Sequence, residues 1–330
     1  MRKSLAMVAV VLLAAALGVG AAGAADTKRF SIGTAGTAGA LYPMGVAMGQ
    51  VITKYAPGFA ATGEATAASV ENLRNLSTGK MWMGISQSEI AAMAYNGEGD
   101  FAKRKMDNIR AMFATIYSYV QVFVAADSPV KSIADFKGKT VGVGPAGSGG
   151  EMAARMILGF YGLTYKDIKP QFIPETEAVQ ALKDGRIEGF MCTHPIKSAA
   201  LLDLTNSMTV KMIPLSDPAF YQRFPFYTMY TIPAGTYKGV DVDIQVPISR
   251  IVMYTTLKAE LTTDDVYNIM KAIWDHQDEW NGVHAAVKKQ VQLDVALSEI
   301  GTPLHAGAIK FFEEKGMKID PKLYPPEYKK

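Results

Sequence analysis

Two glycine-rich turns constrain this chain more than any other feature. Gly33-Thr34-Ala35-Gly36-Thr37-Ala38-Gly39 and Gly144-Pro145-Ala146-Gly147-Ser148-Gly149-Gly150 each follow a short apolar segment and each open a segment with helical spacing. A strand that ends in such a turn and continues as a helix is the building unit of a parallel sheet covered by helices. The unit occurs once in each half of the chain. At such a turn the free N–H groups and the positive end of the helix converge, which stabilises negative ligand groups. Glycine lets a ligand approach the backbone and permits positive φ. Thr34, Thr37 and Ser148 add hydroxyl donors without charge.

The rest of the pattern continues this alternation. Strands are expected over 29–34, 59–66 and 81–86, with a helix opening at Tyr42-Pro43, a second capped at Ser69 and a third over 89–95. Met44, Ala47, Met48, Val51 and Ile52 give the first helix an apolar face. A second set follows, with strands over 119–125, 140–144, 171–173 and 188–193 and helices over 151–161 and 175–184. A strand over 248–257 precedes a largely helical end, with one helix capped by Thr262 or Thr263 and the last beginning at Pro303, His305 lying on its polar side. No linker of disordered composition separates the halves. The reading is α/β, with two lobes, each a mostly parallel sheet flanked by helices, joined by more than one chain crossing. Lobe I takes 26–120 plus 250–330 and lobe II takes 121–249.

Residues 1–25 read as a leader. Arg2 and Lys3 precede an apolar run over 5–19 and the small residues Ala21, Ala22, Gly23, Ala24 and Ala25, the three parts of a secretory signal peptide. The run is shorter than the ~20 residues a membrane span needs. Cleavage near Ala24 or Ala25 places the expected mature chain in the periplasm, as a monomer. Removing Arg2 and Lys3 from 34 basic residues leaves 32 against 31 acidic ones. That near-neutral balance lacks the basic footprint of a nucleic-acid binder. With 49% hydrophobic and 20% charged residues, the chain is neither disordered nor fibrous. The single cysteine, Cys192, excludes internal disulfides and cysteine-based metal clusters.

Catalytic and cofactor readings of the second turn are weak. Gly142-Val143-Gly144-Pro145-Ala146-Gly147 matches the dinucleotide pattern G-x-G-x-x-G, but Glu175 stands late for the ribose-binding acid. Ala146-Gly147-Ser148-Gly149-Gly150 departs from the nucleophile elbow G-x-S-x-G at its first glycine. His194, His276, His284 and His305 show no metal-ligand spacing. No cofactor, metal or catalytic residue is assigned, and the chain is not read as an enzyme.

Six segments carry a family resemblance: G-T-A-G-T-A-G-A-L-Y-P (33–43), T-A-A-S-V-E-N-L-R (66–74), S-Q-S-E-I-A (86–91), V-G-P-A-G-S-G-G-E (143–151), Y-T-I-P-A-G-T-Y (230–237) and L-H-A-G-A-I-K-F-F-E-E-K-G (304–316). Through them the chain resembles the substrate-binding component of TRAP transporters of the TAXI type. The resemblance implies a two-lobed periplasmic binding fold with the ligand in the cleft between lobes. It also implies delivery to TRAP small and large membrane subunits, often fused in that family, driven by an ion gradient. The implied ligand is a small organic acid, glutamate-like, 2-oxoglutarate-like or a more apolar carboxylate. Ligand contacts are expected at Thr34, Ala35, Gly36, Thr37, Tyr42, Thr66, Ser69, Gln87 and Ser88 in the first lobe. Tyr117 lies before the crossing, and Ser148, Gly149, Gly150 and Thr193 lie in the second lobe.

The chain departs from the family's usual pattern at Ala38, Ala40, Leu41, Glu89 and Gly150. Two hydroxyls and one phenol are thereby missing near the expected cleft, which favours a ligand with an apolar or longer body. Two further readings stand beside this one. An ABC-type periplasmic receptor for an aromatic or sulfonate-like anion shares the two-lobed fold. A secreted enzyme on the same fold would need an acid or base poised in the cleft.

Overall fold

The computed structural model describes residues 27–328, so the leader expected over 1–25 lies outside the described residues, Asp26 with it. The strands are β1 (Lys28–Gly33), β2 (Phe59–Glu64), β3 (Met83–Gln87), β4 (Ile109–Ala125), β5 (Thr140–Gly142), β6 (Lys169–Gln171), β7 (Gly189–His194), β8 (Val210–Met212), β9 (Thr228–Ile232) and β10 (Ile244–Thr256). The helices of the first half are α1 (Leu41–Tyr55), α2 (Ser69–Thr78) and α3 (Ser88–Asn96), followed by α4 (Gly149–Phe160), α5 (Glu175–Lys183), α6 (Ala199–Ser207) and α7 (Pro218–Arg223). The chain closes with α8 (Thr263–Asp275), α9 (Ala285–Gln290) and α10 (Ala306–Glu314).

The strands run in the order β2-β1-β3-β10-β4-β7-β5-β6, with β8 beside β4 and β9 beside β10. β2, β1 and β3 are parallel, as are β7, β5 and β6. These are the two sets in which helical crossovers return the chain to the same edge direction. Between them β10 and β4 lie antiparallel to each other and to their outer neighbours. The molecule has an α/β fold, a mixed sheet with helices on its faces.

β4 and β10 begin well before the strands read over 119–125 and 248–257. Residues from Ile109 to Ile116 are all buried, so both faces of β4 are covered. A strand covered on both sides shows a continuous apolar run rather than alternation, and the period-2 signal disappears. The two long strands also carry the division of the core. One cluster of buried apolar side chains draws on residues 30–116 and 251–323 with Met152, and two others lie within 119–248. The change of cluster falls between Ile116 and Tyr119 on β4 and between Ile248 and Ile251 on β10.

Some local expectations move by a residue or two. α2 is preceded by Ala68 at φ 76°, and Ser69 is its first helical residue rather than its cap. Thr262 caps α8 in a reciprocal capping box with Asp265. α10 starts at Ala306 instead of Pro303, which makes His305 its cap. His305 is therefore 5% exposed and not on a polar face. Its Nδ1 accepts the Gly307 N–H at 3.1 Å, and burial takes the imidazole down to about 4.

Candidate functional site

A cavity of about 420 Å³ opens between the two halves of the sheet, within the size range of small-molecule sites. Three helix starts converge on it. The β1–α1 turn contributes Ala35, Gly36, Thr37, Ala38, Gly39, Ala40 and Leu41; the β5–α4 turn contributes Gly144, Pro145, Ser148 and Gly150; the start of α5 contributes Pro174, Glu175 and Thr176. Thr66 and Ala67 from the β2–α2 connection and Cys192, Thr193 and His194 from the end of β7 complete the polar wall. Ile173, Ala178, Phe190, Met191 and Ile251 make the remainder apolar.

The helix starts are equipped to receive negative charge. Ala40 precedes α1 and Pro174 precedes α5, and neither supplies a side-chain acceptor to the first turn. N–H groups there lack the usual capping partner and face an anion favourably. α4 is different, because Ser148 Oγ accepts the Glu151 N–H at 3.0 Å. The Ser148 hydroxyl proton is left to donate elsewhere. Gly144 and Gly147 take φ of 85° and 79°, which only glycine adopts without strain.

The sequence-derived candidates separate by position. Ala35, Gly36, Thr37, Thr66, Ser148, Gly150 and Thr193 line the cavity. Thr34, Ser69, Gln87 and Gly149 are packed behind its wall. Thr34 is fully buried and turns its hydroxyl onto the Glu64 carbonyl at 2.7 Å. Its own carbonyl accepts from Thr66 Oγ1 at 3.0 Å and Asn72 Nδ2 at 2.8 Å. Ser69 Oγ accepts the Gln87 N–H at 3.1 Å. Gln87 Nε2 donates to Glu89 Oε1 at 3.1 Å and Ser249 Oγ at 3.3 Å. A Cβ on Gly149 would stand 1.6 Å from Gln87 Oε1, so glycine there allows α4 to touch β3.

Tyr42, Ser88 and Tyr117 are elsewhere. Tyr42 is half-buried on α1 beyond the lining residues. Ser88 Oγ donates to the Glu299 carbonyl at 2.5 Å. Tyr117 donates to the Glu299 carboxylate and lies against the Arg250 guanidinium, 4.4 Å from ring centroid to Cζ. Burial, then the Glu299 contact, pushes the Tyr117 phenol up to about 12. Its strand position puts it on a network around α9, apart from the residues that line the cavity.

Glu175 and His194 are wall residues that the sequence did not mark as ligand contacts. In the sequence Glu175 stands out as a late-placed acid and His194 as a histidine without metal spacing. Their signal was positional: one opens a helix straight after a strand, the other ends a strand beside Thr193. The Glu175 carboxylate accepts the Ser198 hydroxyl at 3.2 Å to each oxygen and lies 3.6 Å from His194 Nδ1. Among the described residues, no group of three or more His, Cys, Asp or Glu is placed to hold a metal ion. Likewise, no described helix is long and apolar enough to cross a membrane.

The model of the NMT1-like family matches residues 32–316. A protein of Escherichia coli K12 named for binding aliphatic sulfonates is 33% identical over 81 residues, 24% of this chain and 25% of that protein. This chain thus spans about a quarter of that relative's length. Among solved structures, one from Bordetella bronchiseptica RB50 is 18% identical, covers 91% of each chain and has a TM-score of 0.51. Another, a Xanthomonas citri protein bound to ATP, is 9% identical over 86% of this chain and 98% of that one, with a TM-score of 0.52. At such identities the structural likeness speaks to the fold alone. The resemblance to TAXI-type TRAP components is corrected by the family match, and the expected TRAP small and large subunits and glutamate-like ligand fall with it.

Proposed function

The chain belongs to the NMT1-like family, and from that premise we propose that it is an extracytoplasmic solute receptor that carries an organic sulfonate to an ABC-type membrane partner. The observation that carries this reading is the cavity, where three helix starts and several hydroxyl side chains meet apolar walls with no lysine or arginine among the lining residues. A sulfonate spreads one negative charge over three oxygens. It is satisfied by several neutral donors arriving from different directions, which is what the starts of α1, α4 and α5 with Thr37, Thr66, Ser148 and Thr193 supply. The alkyl body gains from burial against Leu41, Ile173, Phe190 and Ile251, at about 25 cal/mol per Å² of apolar surface. The sulfonate-named relative supports the same ligand class.

In this reading residues 26–120 with 250–330 and residues 121–249 act as two lobes that close over the ligand, hinged at β4 and β10. Binding and release do the work, and no bond is made or broken. A ligand held only by the folded protein raises its melting temperature by mass action. Straight-chain alkanesulfonates of two to eight carbons should therefore raise the Tm by several degrees, with an optimum chain length. Alkanoates of matched length should raise it less. Stabilisation by alkanoates alone would overturn the assignment.

A further inference from the structure

A buried carboxylate in the wall of an anion-binding cavity needs an explanation. The Glu175 side chain is 4% exposed, and an unpaired buried charge is strongly unfavourable. An arriving sulfonate would add like charge to the same low-dielectric space. Ser198 and the Cys192 thiol hydrogen-bond the carboxylate but carry no positive charge.

His194 is the cationisable side chain among the described residues that line the cavity. Its Nδ1 is 3.6 Å from Glu175 Oε2 and 3.8 Å from the position a Cβ would take on Gly39. The imidazole thus stands between the start of α5 in one half and the start of α1 in the other. Its other surroundings are Tyr119, opposite it on β4, with Cys192, Tyr237 and the exposed Lys197 near by. Burial raises Tyr119, Cys192 and Tyr237, so all three are uncharged near neutral pH and none offsets Glu175.

We infer that Glu175 and His194 form a charge-compensating pair, and that the cavity admits an anion with the imidazole protonated, so that ligand binding takes up a proton from solvent. Glu175 holds the ring by Nδ1 and leaves Nε2–H to donate toward the ligand. The proton taken up offsets the incoming charge, so the net charge of the cavity is the same before and after the anion enters. This rests on the reading as a receptor for an organic anion.

The test is calorimetric titration of pentane-1-sulfonate at pH 7.5 in two buffers of different ionisation enthalpy. The intact protein should show heats that differ between buffers by an amount corresponding to uptake approaching one proton. Glu175→Gln, nearly isosteric, should abolish the uptake. His194→Gln should weaken binding at least tenfold by leaving Glu175 unopposed, and the double variant should recover most of that loss. A histidine with a merely structural role would give no such recovery. Identical heats in both buffers with full affinity in His194→Gln would overturn the pair and leave the receptor reading intact. No binding of any alkanesulfonate by the intact protein would overturn both.

Discussion

Glu89 shows how far one residue's surroundings set its chemistry. It is 2% exposed at the start of α3, and burial, more than any neighbour, pushes its carboxyl up to about 7. Gln87 Nε2 donates to one oxygen, while the Tyr227 hydroxyl faces the other without a bond of ordinary geometry. The folded protein therefore keeps a proton that the unfolded chain releases near its ordinary value of 4.5. Glu89's contribution is complete below about pH 4.5, declines as pH rises toward 7, and stays low above it. The difference is on the order of 3 kcal/mol. Glu89→Gln should flatten the fall of stability between pH 4.5 and 7 and exceed the parent at pH 8 in urea denaturation. Parallel pH curves for the two proteins would refute this account.

Elements meet at the glycine-rich turns, and the glycines there are not equivalent. Nothing lies within 4 Å of a Cβ built on Gly36, whereas one on Gly149 meets Gln87 Oε1 at 1.6 Å and Ser69 Oγ at 2.7 Å. Gly149→Ala has to displace the Gln87 amide from its bonds to Glu89 and Ser249, so a loss of about 1–3 kcal/mol is expected. Gly36→Ala should leave stability within about 0.5 kcal/mol. Urea midpoints of the two variants measure this directly, and equal midpoints would mean that α4 does not rest on β3. Ser148→Ala removes both the cap of α4 and a ligand donor. It should cost about 1 kcal/mol of stability, with weaker sulfonate binding on top.

At the scale of the whole molecule the two halves touch outside the crossing strands. Arg155 on α4 reaches Asp100, in the turn after α3, at 2.6 Å, and the Gly147 carbonyl accepts the Glu71 N–H at 3.2 Å. Both charged side chains are about half exposed, so the pair contributes at most about 1 kcal/mol, which salt screens. In the proposed two-lobe reading it favours the closed arrangement over an open one. Asp100→Asn should weaken sulfonate affinity by up to about fivefold and enlarge the unliganded particle in small-angle scattering. In 1 M NaCl the parent should approach the variant. An unchanged radius and affinity would show that closure does not depend on this contact.

Much of the architecture was legible from local pattern. Strand, glycine-rich turn and apolar helical face are encoded within a dozen residues, because backbone sterics and side-chain period act at that range. The same locality misled the family assignment. Turns such as 33–39 and 143–151 answer to the general geometry of a strand passing into a helix, so short matches there do not separate TRAP components from NMT1-like ones. What no local pattern contains is the direction of each polar side chain. Thr34 turns to Glu64, Gln87 to Ser249 and Tyr117 to Glu299, partners 30, 162 and 182 positions away. Glu175 and His194 become neighbours on one cavity wall because β7 and the start of α5 are brought together when the sheet assembles around β4 and β10. Burial and hydrogen-bond satisfaction are properties of the assembled molecule, and only assembly selects which of many hydroxyls, amides and carboxylates face the cavity.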